Sequence, residues 1–492
     1  MRIFRIVWLL ALPFVARADF EVYFLRHGET TWNRAKILQG SVSNTVLTAR
    51  GVRMAERTAE GMTAKGVSFD RVYASPYLRA WRTAELVAAK TGPAPVRDGR
   101  LREIGFGKYE GLRYERGAWP DDNLRRFFEE PEAYVPQGAG AESLAQVQAR
   151  VLDFLEDEIR PLDGKVKRVL CVAHSLVLRA LVRGLAGDGA PEAAKTPIQR
   201  NCCVHIVRFS AGRFSLVETG RVFYDPAEFE RVPEPRLVAH RGASDLTMPE
   251  ASRPAYRNAV TSGSDIVKLD LQRTKDGVIV MGHDPTLKRN MGWDVRIADV
   301  DYAEILEKGT FIAKGGYAQE KIVRLDETLD IVKPVPEFWI DFKAFDPDFA
   351  ERVLKAFKTA GIDESRIMVA TFSKPALKYF QSRHPSIRRV GHIFFKRLTD
   401  GSWKGNAGQG ATIEDMMACT LRYRDQLRLF GVNMPILQGQ TRPQDVEFLR
   451  KNGLWVSLWF VQNAKRAATY RTCGADAFVT DFASHLRLEG QN

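Results

Sequence analysis

The stretch SDIVKLDLQRTKDGVIVMGHD, residues 264–284, contains two apolar runs separated by a polar turn, and it ends in a histidine and an aspartate. In a strand formed by DIVKLD, Lys268 and Asp270 are two residues apart and therefore lie on the same face. Two inward carboxylates at this spacing would make a natural site for a hard metal ion. Because one of the two positions is a lysine, the stretch leaves three alternatives open: an altered metal enzyme, a metal-free enzyme or no enzyme.

Short apolar runs of this kind recur through the second half of the chain, separated by turns or helices. They are RLVAHR, DIVKLD, VIVMGH, EFWIDF, RIMVATF, RRVGHIF, NMPILQ, LWVSLWF and DAFVTDF. Eight or nine strands in about 255 residues predict a (β/α)8 TIM barrel. Chemistry in such a barrel belongs at the carboxyl ends of the strands, so the polar residues that end these runs are the candidate site residues.

The first half is predicted to be an open α/β sandwich. Its runs FEVYFLRH and KRVLCVAH are nearly continuously apolar, which is typical of parallel strands covered on both faces. Between them, AESLAQVQARVLDFLEDEI carries apolar residues at helical spacing. Prolines among charged residues indicate a linker at residues 226–235. We therefore predict two domains, at residues 19–225 and 236–492.

The N-terminus has the three parts of a secretory signal: the basic MRIFR, the apolar IVWLLALPFV and a small-residue ARA before Asp19. We predict that residues 1–18 are removed and that the protein is exported to the periplasm or beyond. The alternatives are an uncleaved membrane anchor and a buried first element.

Charge and cysteine content limit the partners and the redox chemistry. The net charge of +13 falls to +10 once Arg2, Arg5 and Arg17 leave with the signal. A basic surface favours anionic partners such as phosphate esters or an anionic membrane surface. Nothing in the sequence resembles a nucleic-acid-binding module. The five cysteines lie mostly in apolar runs and predict buried thiols.

Two apolar strands of the first half end in histidine: Arg26 and His27 end one, and His174 ends the other. Six segments occur in the order RHGETTWN, ILQG, LTARG, ASPYLRAWRTAE, LREIGFGKYEG and VAHS. Together they resemble the histidine phosphatase superfamily, which includes the cofactor-dependent phosphoglycerate mutases. The resemblance covers about residues 22–209 and implies a phosphoglycerate mutase-like fold.

The resemblance implies that His27 attacks phosphorus in line and becomes a phosphohistidine. Glu103 would protonate the departing oxygen and later activate water. Forked arginine donors suit phosphate oxygens, and no metal or other cofactor is needed because the cationic side chains supply the positive field. The residues implied to complete this site are Arg26, Asn33, Arg79 and, as a further catalytic group, His174.

The chain departs from this family at two points. Ser175 follows the second histidine, where the family usually has glycine, and SNTVLT lacks the usual acidic residue before LT. Neither departure removes a catalytic role. We predict a phosphatase rather than a mutase, because no sequence feature commits the site to retaining the phosphoryl group and an exported protein has little use for glycolytic isomerisation.

In the second half, LVAHRGASDLTMPEAS, DIVKLDLQRTKDGVIVMGHDPTLKRN and FWIDFK resemble the glycerophosphodiester phosphodiesterase family. The resemblance extends over about residues 236–486. It implies that His240 and His283 act as the general acid/base pair and that Arg241 binds phosphate. The acidic positions that the resemblance associates with a calcium or magnesium ion are Glu250, Asp270 and Asp341. Lys343 lies on the same strand face as Asp341, so both are predicted to face the phosphate.

Lys268 is the main departure, because the family has a glutamate metal ligand at this position. A lysine beside the ion would repel calcium or magnesium. In the first hypothesis Lys268 replaces the metal's charge, binds the phosphate and pairs with Asp270. This would resemble bacterial phosphatidylinositol-specific phospholipases C, which use an arginine where their metal-dependent relatives hold calcium. In the second a metal still binds weakly, and in the third the barrel is inactive and binds anionic ligands.

The two predicted activities follow one another chemically. A diesterase converts a glycerophosphodiester or a phospholipid headgroup into a phosphomonoester, from which a phosphatase releases phosphate. The rival hypothesis is a phosphatase fused to a non-catalytic barrel that docks on anionic phosphodiesters or on an envelope surface. A cyclising lyase is a third hypothesis, and its cyclic product could not be used directly by the first domain.

Overall fold

The computed structural model describes residues 19–42, 44–114, 119–130, 133–186, 199–229, 234–317, 319–436, 440–483 and 486. The predicted signal peptide at residues 1–18 lies outside the described residues, as do residues 230–233 of the predicted linker. Among the described residues, no helix has both the length and the apolar character needed to cross a membrane.

The first half is built around one six-stranded mixed sheet. Its strands are β1 (Phe20–Arg26), β2 (Arg71–Ala74), β3 (Val96–Arg97), β4 (Arg168–Ala173), β5 (Val204–Ser210) and β6 (Arg213–Arg221). The order across the sheet is β3-β2-β4-β1-β5-β6, with β1 parallel to β4 and antiparallel to β5. The helices are α1 (Thr31–Arg34), α2 (Ala49–Ala64), α3 (Leu78–Thr91), α4 (Asp122–Glu129), α5 (Leu144–Phe154) and α6 (Ser175–Ala186). The open α/β prediction is confirmed.

Local sequence explains why the helix predicted from AESLAQVQARVLDFLEDEI forms where it does. Ser143 accepts a hydrogen bond from the backbone N–H of Gln146, and the Gln146 side chain accepts one from the Ser143 N–H, which makes a capping box. The helix α5 then buries Leu144, Val147 and Val151 along one face. This apolar stripe packs the helix into the core on one side of the sheet.

The second half contains a closed parallel barrel, which confirms the predicted TIM barrel. Its strands are β7 (Arg236–Ala239), β8 (Ile266–Arg273), β10 (Glu337–Phe342), β11 (Ile367–Thr371), β12 (Arg388–His392), β16 (Gly431–Pro435), β17 (Trp455–Trp459) and β18 (Ala477–Thr480). Each pairs in parallel with its neighbours, and the β8–β10 pairing closes the ring. The run VIVMGH forms β9 (Ile279–Met281), which pairs antiparallel to β8 outside the ring, so eight of the nine predicted strands make the barrel.

Helices and a small accessory sheet complete this half. The helices are α7 (Arg253–Thr261), α8 (Lys288–Met291), α9 (Tyr302–Lys308), α10 (Leu325–Val332), α11 (Pro347–Thr359), α12 (Lys374–Arg383), α13 (Ile413–Leu427), α14 (Pro443–Lys451) and α15 (Ala464–Arg471). The accessory sheet is antiparallel and contains β13 (Phe395–Arg397), β14 (Trp403–Gly405) and β15 (Gly408–Gly410).

The barrel interior is apolar at its base and polar toward the carboxyl ends of the strands. Ile266 and Trp339 belong to a buried apolar cluster that fills the base. Because side chains alternate along a strand, the inward position of Ile266 also turns Lys268 and Asp270 inward on β8. Asp341 pairs in register with Asp270 on the neighbouring strand, which places the polar layer above the apolar one.

The two halves meet at the N-terminal ends of the barrel strands. Arg34 forms an ion pair with Asp265, which immediately precedes β8. Arg113 forms a second ion pair with Glu337, the first residue of β10. The first half therefore packs on the end of the barrel that is opposite the predicted site.

The cysteines behave as predicted. All five lie in the described residues, and each is a buried thiol outside any disulfide: Cys171, Cys202, Cys203, Cys419 and Cys473.

Candidate active sites

The first site forms where β1 and β4 end side by side. Arg26 is in register with Ala173, so His27 and His174, which follow them, leave the sheet at the same edge. Their ring centroids are 5.1 Å apart, with the rings at 62°. The adjoining cleft has a volume of about 470 Å³, and the predicted residues that line it are Arg26, His27, Asn33, Arg79 and Glu103.

His27 is held as a neutral imidazole with one nitrogen available. Its Nδ1 is 2.7 Å from the Gly28 carbonyl oxygen, which can only accept, so Nδ1 carries the proton and Nε2 keeps its lone pair. Burial lowers the pKa of His27 well below its usual value, and Arg79 and Arg26 lower it further. This is the protonation state that a nucleophilic histidine needs at neutral pH.

Glu103 is placed to carry a proton. Its carboxylate is buried and accepts hydrogen bonds from the backbone N–H groups of Ile104 at 3.1 Å and Leu176 at 3.2 Å. Burial raises the pKa of Glu103, even though Arg79 and these hydrogen bonds act in the opposite direction. A carboxyl group with a raised pKa suits a general acid.

The two arginines of the cleft are anchored by backbone carbonyl groups. Arg79 donates to the carbonyl oxygens of Val42 at 2.6 Å and Gly40 at 2.9 Å, and burial lowers its pKa to about 10, which leaves it charged at neutral pH. Arg26 donates to the Gln199 carbonyl oxygen.

His174 differs from the other predicted residues because it is fully buried and does not line the cleft. Its Nε2 is 2.8 Å from the Ser75 hydroxyl, and burial lowers its pKa well below the usual value. The structure therefore places His174 behind His27, in contact with its ring. His205 is fully buried on β5 and does not line the cleft.

The second site is a pocket of about 410 Å³ at the carboxyl ends of the barrel strands. Six of the predicted residues line it: His240, Arg241, Lys268, His283, Asp341 and Lys343. The other two, Glu250 and Asp270, are ion-paired to side chains of the lining. All eight predicted positions of the barrel therefore come together.

Each of the two predicted acid/base histidines is oriented by a carboxylate. His240 Nδ1 is 2.8 Å from Asp481 Oδ1, and His283 Nδ1 is 2.7 Å from Asp284 Oδ1. In both histidines this leaves Nε2 free for proton transfer. Burial lowers the pKa of His240, and burial together with Lys343 lowers the pKa of His283 to about 4.

The same pocket holds a largely buried cluster of two ammonium groups and two carboxylates, which we call the ion quartet: Lys268, Asp270, Asp341 and Lys343. Lys268 Nζ bonds to Asp270 and lies 3.0 Å from Asp341 Oδ2. Lys343 Nζ lies 2.7 Å from Asp341 Oδ2 and 2.9 Å from Asp270 Oδ1. Burial alone would raise the pKa values of both carboxyl groups, but the two lysines outweigh it and hold them below their usual range.

The donor set does not fit a divalent cation. Asp270 and Asp341 are already contacted by two ammonium groups, and Glu250 is held by Arg241 Nη1 at 2.8 Å and Arg289 Nη2 at 2.5 Å. Calcium and magnesium need several oxygen ligands at about 2.0–2.6 Å. The lysine and arginine groups that contact these carboxylates occupy the space where such an ion would lie. Within the described residues, no group of three or more His, Cys, Asp or Glu side chains is arranged to hold a metal ion.

Several residues of the barrel site carried no assigned role in the sequence analysis. His392 ends β12 in the pocket, with Nε2 3.7 Å from Asp341 Oδ2 and Nδ1 accepting from Asn433 Nδ2 at 3.1 Å. Asp481 follows β18 and orients His240. The strand-end rule that found His240 would also have found these two residues, because each ends or follows a predicted strand. Asn433 lies inside a strand and had no such signal.

The comparisons with known proteins divide the chain in the same way. Residues 22–221 match the model of the histidine phosphatase superfamily (branch 1), and residues 240–485 match the model of the glycerophosphoryl diester phosphodiesterase family. Both halves are thus of hydrolase families that act on phosphate esters. The chain belongs to the histidine phosphatase superfamily through its first half and to the glycerophosphoryl diester phosphodiesterase family through its second.

Individual relatives match one half each. A 2,3-bisphosphoglycerate-dependent phosphoglycerate mutase from Azorhizobium caulinodans is 36% identical over 172 residues, which are 33% of this chain and 80% of that protein. A probable phosphoglycerate mutase from Erwinia tasmaniensis is 31% identical over 189 residues, 37% of this chain and 82% of that protein. The match to the solved structure of a phosphodiesterase from Oleispira antarctica covers 53% of this chain and 98% of that protein's chain. The two have 20% sequence identity and a TM-score of 0.44.

Proposed function

We propose that this protein is an exported phosphoric ester hydrolase with two active sites, a histidine phosphatase in the first half and a metal-independent phosphodiesterase in the barrel. One observation carries the proposal: each half brings neutral buried histidines together with fixed cations at the carboxyl ends of its strands. A neutral imidazole among cations suits reactions at phosphorus, because it can accept phosphorus or a proton while the cations hold the phosphate oxygens.

In the phosphatase site, His27 Nε2 attacks phosphorus as the bond to the leaving oxygen breaks. Glu103 gives its proton to that oxygen, and the carboxylate then takes a proton from the water that attacks the phosphohistidine. Phosphate leaves, and His27 and Glu103 return to their starting states. Arg26, Asn33 and Arg79 hold the non-bridging oxygens throughout, and His174 supports the ring of His27.

The test of this half uses full-length variants and phosphomonoester substrates. We expect His27→Ala to abolish phosphate release and Glu103→Gln to slow it by about 10²–10⁴-fold, the usual contribution of a general acid. Analysis of the products separates hydrolysis from phosphoryl transfer, because a mutase would return an isomeric monoester instead of phosphate. Unchanged turnover by His27→Ala, or an isomerised product, would contradict the phosphatase assignment.

In the barrel, we propose that Lys268 supplies the charge for which the family uses a metal ion. A glutamate together with a divalent cation carries a single net positive charge, and a lysine carries the same charge alone. Asp270 and Asp341 hold its ammonium group in the pocket that the two histidines line. One histidine would take a proton from the attacking oxygen while the other gives one to the leaving alcohol. Arg241 and Lys343 would bind the phosphate oxygens.

The test of the barrel uses metal-stripped His27→Ala protein, so that the monoester product persists. Glycerophosphodiester loss is followed with chelator and, in parallel, with added calcium or magnesium. We expect turnover in chelator that is lost in the His27→Ala/His283→Ala double variant. Turnover only with added ion would restore the metal mechanism, and a cyclic product would identify the lyase.

The rival function for the barrel is binding without catalysis, and one observation favours it. The two ammonium groups of the ion quartet are already neutralised by two carboxylates, which weakens the field they offer to a substrate. A barrel that binds glycerophosphodiesters without consuming them in any of these assays would support the rival.

Export and contact with an anionic membrane are part of the proposal. Phe372 and Phe394 follow β11 and β12 at the barrel mouth, are 44% and 45% exposed, and have ring centroids 6.0 Å apart. Lys396 and Arg397, which follow Phe394 closely in the chain, are also exposed. We expect binding to phosphatidylglycerol vesicles that falls in a Phe372→Ser/Phe394→Ser variant, and a mature N-terminus at Asp19. Equal binding to neutral vesicles would count against contact with an anionic membrane. An exported protein that still begins at Met1 would count against removal of the signal.

A further inference from the structure

The short helix α1 (Thr31–Arg34) follows the catalytic segment of the first half. It is a single turn, which is too short to be stable without tertiary contacts. Its start is fixed locally: Thr30 Oγ1 accepts from the Asn33 N–H at 3.0 Å, and Asn33 Oδ1 accepts from the Thr30 N–H at 3.2 Å. Trp32 and Arg34, the residues on either side of Asn33, contact the other half of the molecule.

Both of those residues are held by the N-terminal face of the barrel. Trp32 is 2% exposed and donates its indole N–H to the Pro334 carbonyl oxygen at 2.7 Å. The guanidinium of Arg366 lies 5.0 Å from the Trp32 ring centroid, within cation–π range. Arg34 is ion-paired to Asp265, which is almost fully buried and also accepts from the Leu237 N–H at 2.8 Å. Asp265 is therefore a rigid anchor.

On its other side α1 is connected to the nucleophile. Asn33 Oδ1 accepts from Asn201 Nδ2 at 3.3 Å, and the same Asn201 amide donates to the His27 carbonyl oxygen at 3.0 Å. A continuous set of hydrogen bonds thus runs from the barrel through α1 to the backbone of His27.

A second wall of the cleft is anchored in the same way. Tyr114 lines the cleft, and its neighbour Arg113 is ion-paired to Glu337 at the start of β10. The segment around Arg113 forms a β-bridge with Ile37, another lining residue. Two separate segments of the cleft therefore depend on ion pairs to the barrel.

We infer that the N-terminal face of the barrel is a structural part of the phosphatase site, and that Arg34 and Trp32 are positioning residues that hold Asn33 and His27 in place. The inference rests on the proposed phosphatase activity. It assigns the barrel a role that is independent of whether its own pocket is catalytic. It also gives a physical reason for the two halves to occur in one chain.

We expect the loss of the contacts between α1 and the barrel to slow the chemical step more than it weakens substrate binding. Arg26 and Arg79 hold the phosphate oxygens and are bonded to carbonyl groups of the first half only. Loosening α1 displaces Asn33 and His27 but leaves these arginines, so binding of the monoester loses only the contribution of Asn33 and should weaken less than the chemical step slows. Misplacement of a reacting group by about 1 Å can lower the rate by about 10²-fold. A fall in kcat of about tenfold or more, with a smaller proportional rise in KM, is the expected signature.

The experiment compares full-length variants by phosphomonoester turnover. The key variants are Arg34→Ala, on the phosphatase side, and Asp265→Asn, which removes the anchoring charge from the barrel side while keeping its shape. Arg34→Lys keeps the ion pair and should retain kcat within about threefold of the unaltered chain. The matched control is Arg57→Ala, which removes an arginine ion-paired to exposed Glu60 and Glu228, away from α1. It should have no effect.

The outcomes separate this inference from the proposed function. A kcat loss in both Arg34→Ala and Asp265→Asn, with recovery in Arg34→Lys, supports it. If either key variant is unfolded by circular dichroism, Trp32→Phe replaces it, because this change removes the indole N–H that donates to Pro334 while keeping an aromatic ring at this position. Full kcat in Asp265→Asn or in Trp32→Phe, while the unaltered chain is active, overturns the inference. An inactive unaltered chain would instead overturn the proposed phosphatase.

Discussion

At the residue scale, Lys268 decides how the barrel must be understood, because it is one of the two cations of the ion quartet. Its Nζ contacts both Asp270 and Asp341, and the same two carboxylates are shared with Lys343. Removing one member of such a buried group leaves the others with uncompensated charge, which costs about 3–5 kcal/mol when nothing replaces it. The chemistry of position 268 can therefore be tested by exchanging the type of charge.

The first prediction is that Lys268→Glu creates a metal site. The site would then hold three carboxylates against the single ammonium group of Lys343, and this net negative charge favours a hard dication. In chelator, diester turnover should fall by about tenfold or more, and magnesium or calcium should restore part of it. Titration calorimetry should detect ion binding by this variant and weaker or no binding by the unaltered chain.

The control for that prediction is Lys275→Glu, the same exchange at an exposed position shortly after β8. It should affect neither turnover nor ion binding. Ion binding by the unaltered chain that is as tight as by Lys268→Glu would contradict the charge-replacement argument.

The second prediction concerns pH. His283 is faced by Lys343, Arg241, Asp270 and Asp284, and burial together with Lys343 lowers its pKa to about 4. A neighbouring cation disfavours the protonated imidazole, so Lys343→Gln should raise the pKa of His283. If neutral His283 is needed for diester cleavage, the acid limb of kcat/KM should move to higher pH by about one unit or more.

That shift is measured by the pH profile of diester turnover in the His27→Ala background. Lys355→Gln, an exposed lysine on α11, is the matched control and should leave the profile in place. If kcat/KM falls at every pH but the acid limb stays at the same pH, the pKa of His283 does not determine that limb.

At the scale of elements, the sequence predicted which site residues lie at the ends of strands. It did not predict which other residues orient them or pair with them. His27, His174 and His240 were found because an apolar run that stops at a polar residue marks the open edge of a parallel sheet. His283 follows the antiparallel strand β9 and was found through the family resemblance. Asp481 and His392 carry the same mark, but they lack a motif that points to them. The pairing of Lys268 with Asp341 was beyond prediction, because it depends on the β8–β10 register that closes the barrel.

The other ends of the strands carry the third prediction. Glu337 begins β10, is fully buried, and forms ion pairs with Arg113, with Arg236 at 3.0 Å and with Arg388 at 3.1 Å. Burial already lowers the pKa of Arg236 to about 9 and that of Arg388 to about 10. Glu337→Gln would leave three guanidinium groups facing one another. We expect it to lower the free energy of unfolding of the barrel by about 3–5 kcal/mol.

Urea denaturation followed by circular dichroism measures this loss. Glu364→Gln changes an exposed glutamate near the start of β11 and should alter the unfolding free energy by less than about 0.5 kcal/mol. A Glu337→Gln variant as stable as this control would mean that the arginines find other partners when the carboxylate is removed.

At the scale of the whole molecule, the two sites do not face one another. The barrel pocket opens at the carboxyl ends of the strands, whereas the first half contacts Asp265, Pro334 and Glu337 at their N-terminal ends. Sequence motifs could identify both families but not this arrangement, because it is fixed by ion pairs between residues more than two hundred positions apart. If the barrel makes a monoester as proposed, that monoester must therefore pass through bulk solvent before it reaches His27.

The fourth prediction follows from that geometry: joining the domains gives no direct transfer of the intermediate. Phosphate release from a glycerophosphodiester by the unaltered chain should show a lag while the monoester accumulates. An equimolar mixture of full-length His27→Ala and His283→Ala, each at the concentration of the unaltered chain, has the same number of working sites on separate molecules. It should show the same lag and the same final rate, and neither variant alone should release phosphate. A lag that is clearly shorter for the unaltered chain would mean that the monoester reaches His27 without mixing with the solvent, along a surface path that this arrangement of the two halves does not provide.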